Sequence, residues 1–307
     1  MKKIVLSMVM LSMLMVTSIN AIEVSKEQEI MGLYVSFFKR AADKSGFDFW
    51  KAKSDEAIDR EEDTSDVLKE LSKGFAEHEL FTSVYSNLNN RAFVEAIYQN
   101  TLSKAGDSEG INQWTNLLDG GMSRSDLVAN FVQSALSVDL TKENFPTLTE
   151  EALGEARRRQ DFFTNRVDAG IAFSRDLGVL TNFSDTSNIE DDPAYIASMK
   201  IIQGVTEYDV TYSEAVEYLA YIQNEDDAIS KINNELKWLK DIRLSANESV
   251  ICTGVTPFTV KQTNNPVLTF ITNDVNKEVT ITSSSSSNDV TMIENCTLEG
   301  QELCRAL

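Results

Sequence analysis

The stretch whose reading decides the fold is Phe93–Ala135, FVEAIYQNTLSKAGDSEGINQWTNLLDGGMSRSDLVANFVQSA. Phe93, Ile97, Tyr98 and Leu102 fall at helical spacing and predict a first helix with an apolar stripe. Asp107 stands where the next helix begins, placed to accept the free N–H groups of its first turn. Gly110 follows at the third helical position, where a missing side chain lets the preceding helix approach. Trp114 comes four residues later, one turn on along the same face. Gly120-Gly121 predicts the end of this second helix. Ser123 with Asp126 reads as the cap of a third, which buries Leu127, Val128, Phe131 and Val132. The segment is a helix–turn–helix–turn–helix unit.

Working outward, the same order of residues occurs upstream. Placing Tyr34 over Tyr98 sets Arg40 on Lys104, Ala41 on Ala105, Asp43 on Asp107, Gly46 on Gly110 and Trp50 on Trp114, at a constant spacing of 64. Past the tryptophans the spacing becomes 56, with Leu71 on Leu127, Phe75 on Phe131 and Leu80 on Leu136. The first copy therefore carries eight extra residues, expected as a longer middle loop in the charged stretch Ser54–Asp66. Such internal repetition predicts duplicated three-helix units, at about 30–85 and 93–140.

At these residues, Leu33–Trp50 (LYVSFFKRAADKSGFDFW) and Phe93–Ala135, the chain resembles the bacterial domain of unknown function 4214. That family's pattern is an apolar stripe with Tyr, then Arg-x-x-Asp-x-x-Gly-x-x-x-Trp, a Gly-Gly-x-Ser type turn, and a closing helix with Phe. The second copy departs from it at Lys104, which replaces the arginine; the first keeps Arg40. With the stretches around Phe162–Leu180, Ala194–Tyr208 and Ala215–Ile222, the resemblance runs from about Ile30 to Ile222. It implies a helical domain of secreted or surface-layer proteins with no established activity. Many relatives carry Gly-Gly-x-Gly-x-Asp calcium repeats, and none occurs here.

The ends of the chain read differently. Met1-Lys2-Lys3 precedes nineteen uncharged residues, Ile4–Ile22, with a small residue at Ala21. This describes a secretory signal over residues 1–21, cleaved after Ala21, with an uncleaved membrane anchor as the alternative. The mature protein is expected to be exported, to the cell surface or outside the cell or to the periplasm, and to keep no membrane span. A helical domain is expected over 22–245. It includes later helices at Thr149–Leu180, Ala194–Gly204, Ser213–Gln223 and Asp226–Leu244, and an acidic loop at Asn182–Pro193. After Ala246 charge thins out, and Thr, Val, Ile, Ser and Asn form short alternating runs, predicting a small β-rich module over 246–307. Cys252, Cys296 and Cys304 all lie there, so an oxidising compartment permits one disulfide, Cys252 with either Cys296 or Cys304. The fold class is mainly α, with a small C-terminal β-module.

Function is read by exclusion and by weighing a few residues. With 28 Lys and Arg against 48 Asp and Glu, the net charge of −20 argues against a nucleic-acid partner. The single histidine, His78, read as a helical and exposed position, cannot build a zinc site of two or more His. No phosphate loop, Gly-x-Gly-x-x-Gly, Gly-x-Ser-x-Gly or His-Glu-x-x-His occurs. No catalytic or metal-ligating set is assigned, and no cofactor is implied. Calcium is the alternative at Asp43–Gly46 and Asp107–Gly110, which begin like a calcium loop but lack its later ligands. Glu190-Asp191-Asp192 is a further calcium candidate, read first as solvated charge. Trp50 and Trp114 are core residues or sugar-stacking platforms. Arg40 is expected to pair with a carboxylate or a helix end. Arg157-Arg158-Arg159 reads as a solvated face. Partners of this chemistry are cell-surface glycans or other surface proteins. The expected function is a non-enzymatic binding or structural one. A glycan-active hydrolase with paired carboxylates and a calcium-dependent binding module are the alternatives.

Overall fold

Ile30 to Phe37 forms an unbroken buried run in the helix Lys26–Phe38. A helix buried around its whole circumference has no solvent face and becomes an axis on which others pack. The computed structural model describes residues 22–60, 63–102, 106, 108–184, 188–207 and 209–236, and after 236 only backbone strand segments. Among the described residues eleven helices occur. They are α1 (Lys26–Phe38), α2 (Lys44–Asp59), α3 (Thr64–Ala76), α4 (Glu79–Tyr85), α5 (Asn90–Leu102), α6 (Ser108–Asp119), α7 (Arg124–Ser137), α8 (Glu150–Asp176), α9 (Pro193–Gln203), α10 (Asp209–Ile222) and α11 (Ala228–Asn234). The protein is mainly α. The chain divides at Leu236 into two compact units, and all eleven helices belong to the first. The module expected over 246–307 lies in the second.

Helix α1 packs against α2, α3, α4, α5, α7 and α8. Its ends must still satisfy their unpaired backbone groups. At the start, Ser25 and Gln28 form a reciprocal capping box. At the end, Lys39 adopts a left-handed conformation (φ 55°) and its N–H donates to the Val35 carbonyl at 3.0 Å. The next two carbonyls receive donors from distant elements. Asn100 Nδ2 donates to Ser36 O at 2.9 Å, and the Tyr85 hydroxyl donates to Phe37 O at 2.6 Å. Asn100 also donates to the Tyr85 hydroxyl at 2.7 Å, and the Thr101 hydroxyl donates to Ser36 Oγ at 3.0 Å. All of these side chains are buried.

The three-helix units are α1–α3 and α5–α7. The eight extra residues of the first do not form a loop. Helix α2 has 16 residues where α6 has 12, and α3 begins four residues earlier, relative to Leu71, than α7 does relative to Leu127. Each arm of the hairpin has gained about one turn, which leaves the helical faces in phase because a turn is 3.6 residues. In the second unit Ser123 Oγ accepts from the Asp126 N–H at 2.9 Å, as expected. Gly121 (φ 104°) closes α6, with Met122 N bonded to Leu117 O and Gly121 N to Leu118 O, a Schellman end.

Helix α8 starts at its Thr149 cap. Helix α10 begins at Asp209, one turn before the expected Ser213. Of the helix expected over Asp226–Leu244, α11 covers Ala228–Asn234 and packs on α9; residues 237–244 lie outside the described residues. Asp192 is not solvated: it is buried as the N-cap of α9, accepting from Ala194 N at 2.8 Å and from Ser184 N and Oγ at 2.7 Å.

Two predictions follow from the buried axis. Tyr85→Phe strands the Phe37 carbonyl and is expected to cost about 1–3 kcal/mol in urea unfolding. Glu29 on α1 has its carboxyl pushed up by burial to about 7. A folded-state value raised above the unfolded one means stability present below about 4.5 and lost as pH rises through about 7. Glu29→Gln is therefore expected to raise the melting temperature at pH 8, by a stability gain on the order of 1–3 kcal/mol, and to change little at pH 4.

Candidate functional site

The site begins at the corner between α1 and α2. Asp43 caps α2, its Oδ2 accepting from Gly46 N at 2.9 Å and from Ser45 Oγ at 2.8 Å. Two further first-turn N–H groups are met from the far side of the unit. Lys44 N donates to Thr181 Oγ1 at 2.7 Å and Ser45 N to Asn182 Oδ1 at 2.8 Å. Gly46 permits a close approach: a Cβ there would lie 2.4 Å from the Tyr34 hydroxyl oxygen.

Arg40 sits inside this corner, only 4% exposed. Its Nη1 donates to the Ala41 carbonyl at 2.8 Å and lies 3.5 Å from Asp43 Oδ1. The guanidinium is held among aromatic rings, 4.9 Å from the Phe183 centroid, 5.0 Å from Tyr34 and 5.3 Å from Tyr195. Its Nε is buried without an acceptor. Burial raises the Tyr34 phenol well above its ordinary value, against the opposing charge of Arg40.

A cleft of about 910 Å³ opens over this corner. Trp50, Phe75, Tyr34 and Phe38 supply aromatic lining, Arg40 and Asp43 also line it, and Glu79 and Glu190 add acids. Trp50 is half-buried and lies 4.8 Å from Phe75; Phe49, 53% exposed, meets Trp50 edge-on at 5.0 Å. His78 also lines the cleft, and here the expectation of a mid-helix position fails. Helix α3 stops at Ala76, and His78 is the N-cap of α4, its Nδ1 accepting from Leu80 N at 3.2 Å. Desolvation, with the Arg40 charge as a lesser cause, holds the imidazole below its usual pKa.

The structure thus brings Arg40, Asp43, Gly46 and Trp50 together at one cleft and separates them from the second unit. There Trp114 is buried, 3% exposed, and Gly110 is buried on α6; Asp107 and Lys104 lie outside the described residues. The corresponding ring pairs have nearly the same geometry. Tyr34–Phe75 is 4.8 Å at 82° and Tyr98–Phe131 is 4.9 Å at 80°. The tryptophan pairs diverge, with Trp50–Phe75 at 4.8 Å and Trp114–Phe131 at 6.0 Å.

Sequence reasoning missed Phe183, Asn188, Ile189 and Glu190 as parts of the cleft. They come from the loop before α9, and no periodicity links that loop to Arg40. The three arginines of α8 are engaged locally. Arg158 and Arg159 both bond Glu155, and Arg157 Nε donates to Leu140 O. Among the described residues no group of three or more His, Cys, Asp or Glu is arranged to hold a metal ion. Of the tyrosines after residue 205, Tyr221 is exposed, Tyr212 and Tyr218 are half-buried, and Tyr208 lies outside the described residues.

The fold and the cleft define a helical protein with an open aromatic cleft over the corner between α1 and α2. Residues 72–140, from within α3 to just beyond α7, match the model of a family described as a domain of unknown function (DUF4214). No curated protein and no solved structure matches the chain.

The corner's glycine gives a test with an internal control. Gly→Ala in a helix ordinarily gains up to about 1 kcal/mol. Gly154→Ala on α8, where a Cβ would meet only the Arg158 guanidinium, at 3.7 Å, is expected to show that gain. Gly46→Ala collides with the Tyr34 hydroxyl and is expected to cost on the order of 1–3 kcal/mol in chemical denaturation.

Proposed function

We propose that the chain is an exported, non-enzymatic protein that acts outside the inner membrane by binding, through glycan or protein contacts at its first helical unit. The observation that carries this reading is the aromatic cleft with Trp50 on its wall and the exposed Phe49 beside it. Clefts with aromatic walls and a few placed polar groups are the usual form of a small-ligand site. Export rests on the basic start and apolar run of residues 1–21, which lie outside the described residues. No helix among the described residues is long and apolar enough to cross a membrane.

The hydrolase alternative needs two carboxylates free to act on one bond. Of the acids lining the cleft, Asp43 is already committed to the α2 N-terminus and to Arg40, which leaves Glu79 and Glu190 as the pair that reading would use. The calcium alternative at the same turn meets the same obstacle, since Asp43 Oδ2 already accepts two hydrogen bonds.

We read the first unit as a second, lengthened copy of the DUF4214 domain. The matched Tyr–Phe pairs and the turn-sized additions support this. Residues 246–307 are read as a small β-module. The alternating runs of the sequence and an antiparallel pairing of backbone strands support it.

Fractionation of the producing cell, mass spectrometry of the mature N-terminus and a glycan array test the reading together. The expected outcome is a chain beginning at Ile22, in the surface or extracellular fraction, that binds glycan or a surface protein. Recovery only from the periplasm with no ligand, or from the cytoplasm with residues 1–21 intact, overturns it.

A further inference from the structure

The polar groups of the cleft define its ligand more narrowly. We infer that it takes a neutral, polyhydroxylated sugar ring in preference to an anionic one, an inference that rests on the binding function proposed above. Glu79 and Glu190 line the cleft and offer only acceptors when ionised. A carboxylate brings these acids no donor. A hydroxyl brings one, and a ring carrying several can meet both acids.

Charge points the same way. The Arg40 cation is already balanced by Asp43 at 3.5 Å, so the cleft holds no spare positive charge to set against Glu79 and Glu190. The whole chain carries −20, which repels an anionic polysaccharide at low ionic strength. The aromatic surface of Trp50 and Phe49 supplies what remains, an apolar platform for the C–H face of the ring.

The test is a titration of the mature protein, followed by tryptophan fluorescence and by calorimetry. The probes are cellohexaose, maltohexaose and mannohexaose as neutral chains, and hexagalacturonate as the anionic one. At least one neutral hexaose is expected to bind at least about tenfold more tightly than hexagalacturonate at low salt, with an affinity that salt leaves unchanged. Phe49→Ala, at an exposed rim position where folding is not at stake, and Trp50→Ala are each expected to weaken that binding about tenfold, roughly 1.4 kcal/mol. Tighter binding of hexagalacturonate, weakened by salt, overturns the preference for neutral sugars and leaves the binding role standing. Binding of a neutral hexaose that neither substitution weakens places it elsewhere and overturns the assignment to this cleft. Binding of none of the four probes overturns this inference and the glycan form of the proposed function together.

Discussion

The structure depends on how one helix, buried from Ile30 to Phe37, meets its own backbone valences. Along that run α1 has no solvent face, so water does not satisfy the Ser36 and Phe37 carbonyls. Asn100 and Tyr85 do so instead, from α5 and from the end of α4. A buried axis thus requires a small polar network drawn from two other helices. That network ties the first helix of the first three-helix unit to the first helix of the second. Repeat proteins commonly stack so that each unit touches only its neighbours through a shared flat face. Here the first helix of one unit sits among α5, α7 and α8, and the units share a single core.

The cleft is a consequence of what happens just after that axis ends. The left-handed Lys39 turns the chain, Arg40 swings under the rings of Tyr34, Phe183 and Tyr195, and Asp43 both balances Arg40 and starts α2. A guanidinium packed on aromatic faces is more weakly hydrated than an ammonium and keeps its charge when buried, which is why this position suits Arg and not Lys. The α2 start is also held by Thr181 and Asn182, so the loop before α9 is pinned to the corner and completes the cleft wall.

Much of this was legible from local signals. The Asp43 and Ser123 caps, the Gly120-Gly121 stop and the close approach at Gly46 all depend on neighbours within a few residues along the chain or one helix away. What was not legible depends on distant packing. Phe183 and Glu190 join the cleft through contacts more than a hundred positions from Arg40 in sequence. His78 reads as helical because Phe75 to Glu79 continues the pattern, yet α3 ends at Ala76 and the imidazole itself starts the next helix. The eight extra residues look like a loop because they are charged. They are helix because two arms each lengthened by about one turn keep every buried face in place.

The two tryptophans carry the same lesson further. At matching positions of the sequence, Trp114 is buried and Trp50 faces an opening. The Tyr–Phe pairs beside them have nearly the same geometry, but the tryptophans differ, Trp50 lying 4.8 Å from Phe75 and Trp114 6.0 Å from Phe131. Around Trp50 the α3–α4 break at His78 and the Asn188–Glu190 turn frame a space. Those surroundings leave an aromatic wall uncovered at one of the two joints. A joint that is already rigid for structural reasons holds its side chains in fixed rotamers, which is the condition a binding surface needs if it is not to lose affinity by ordering itself.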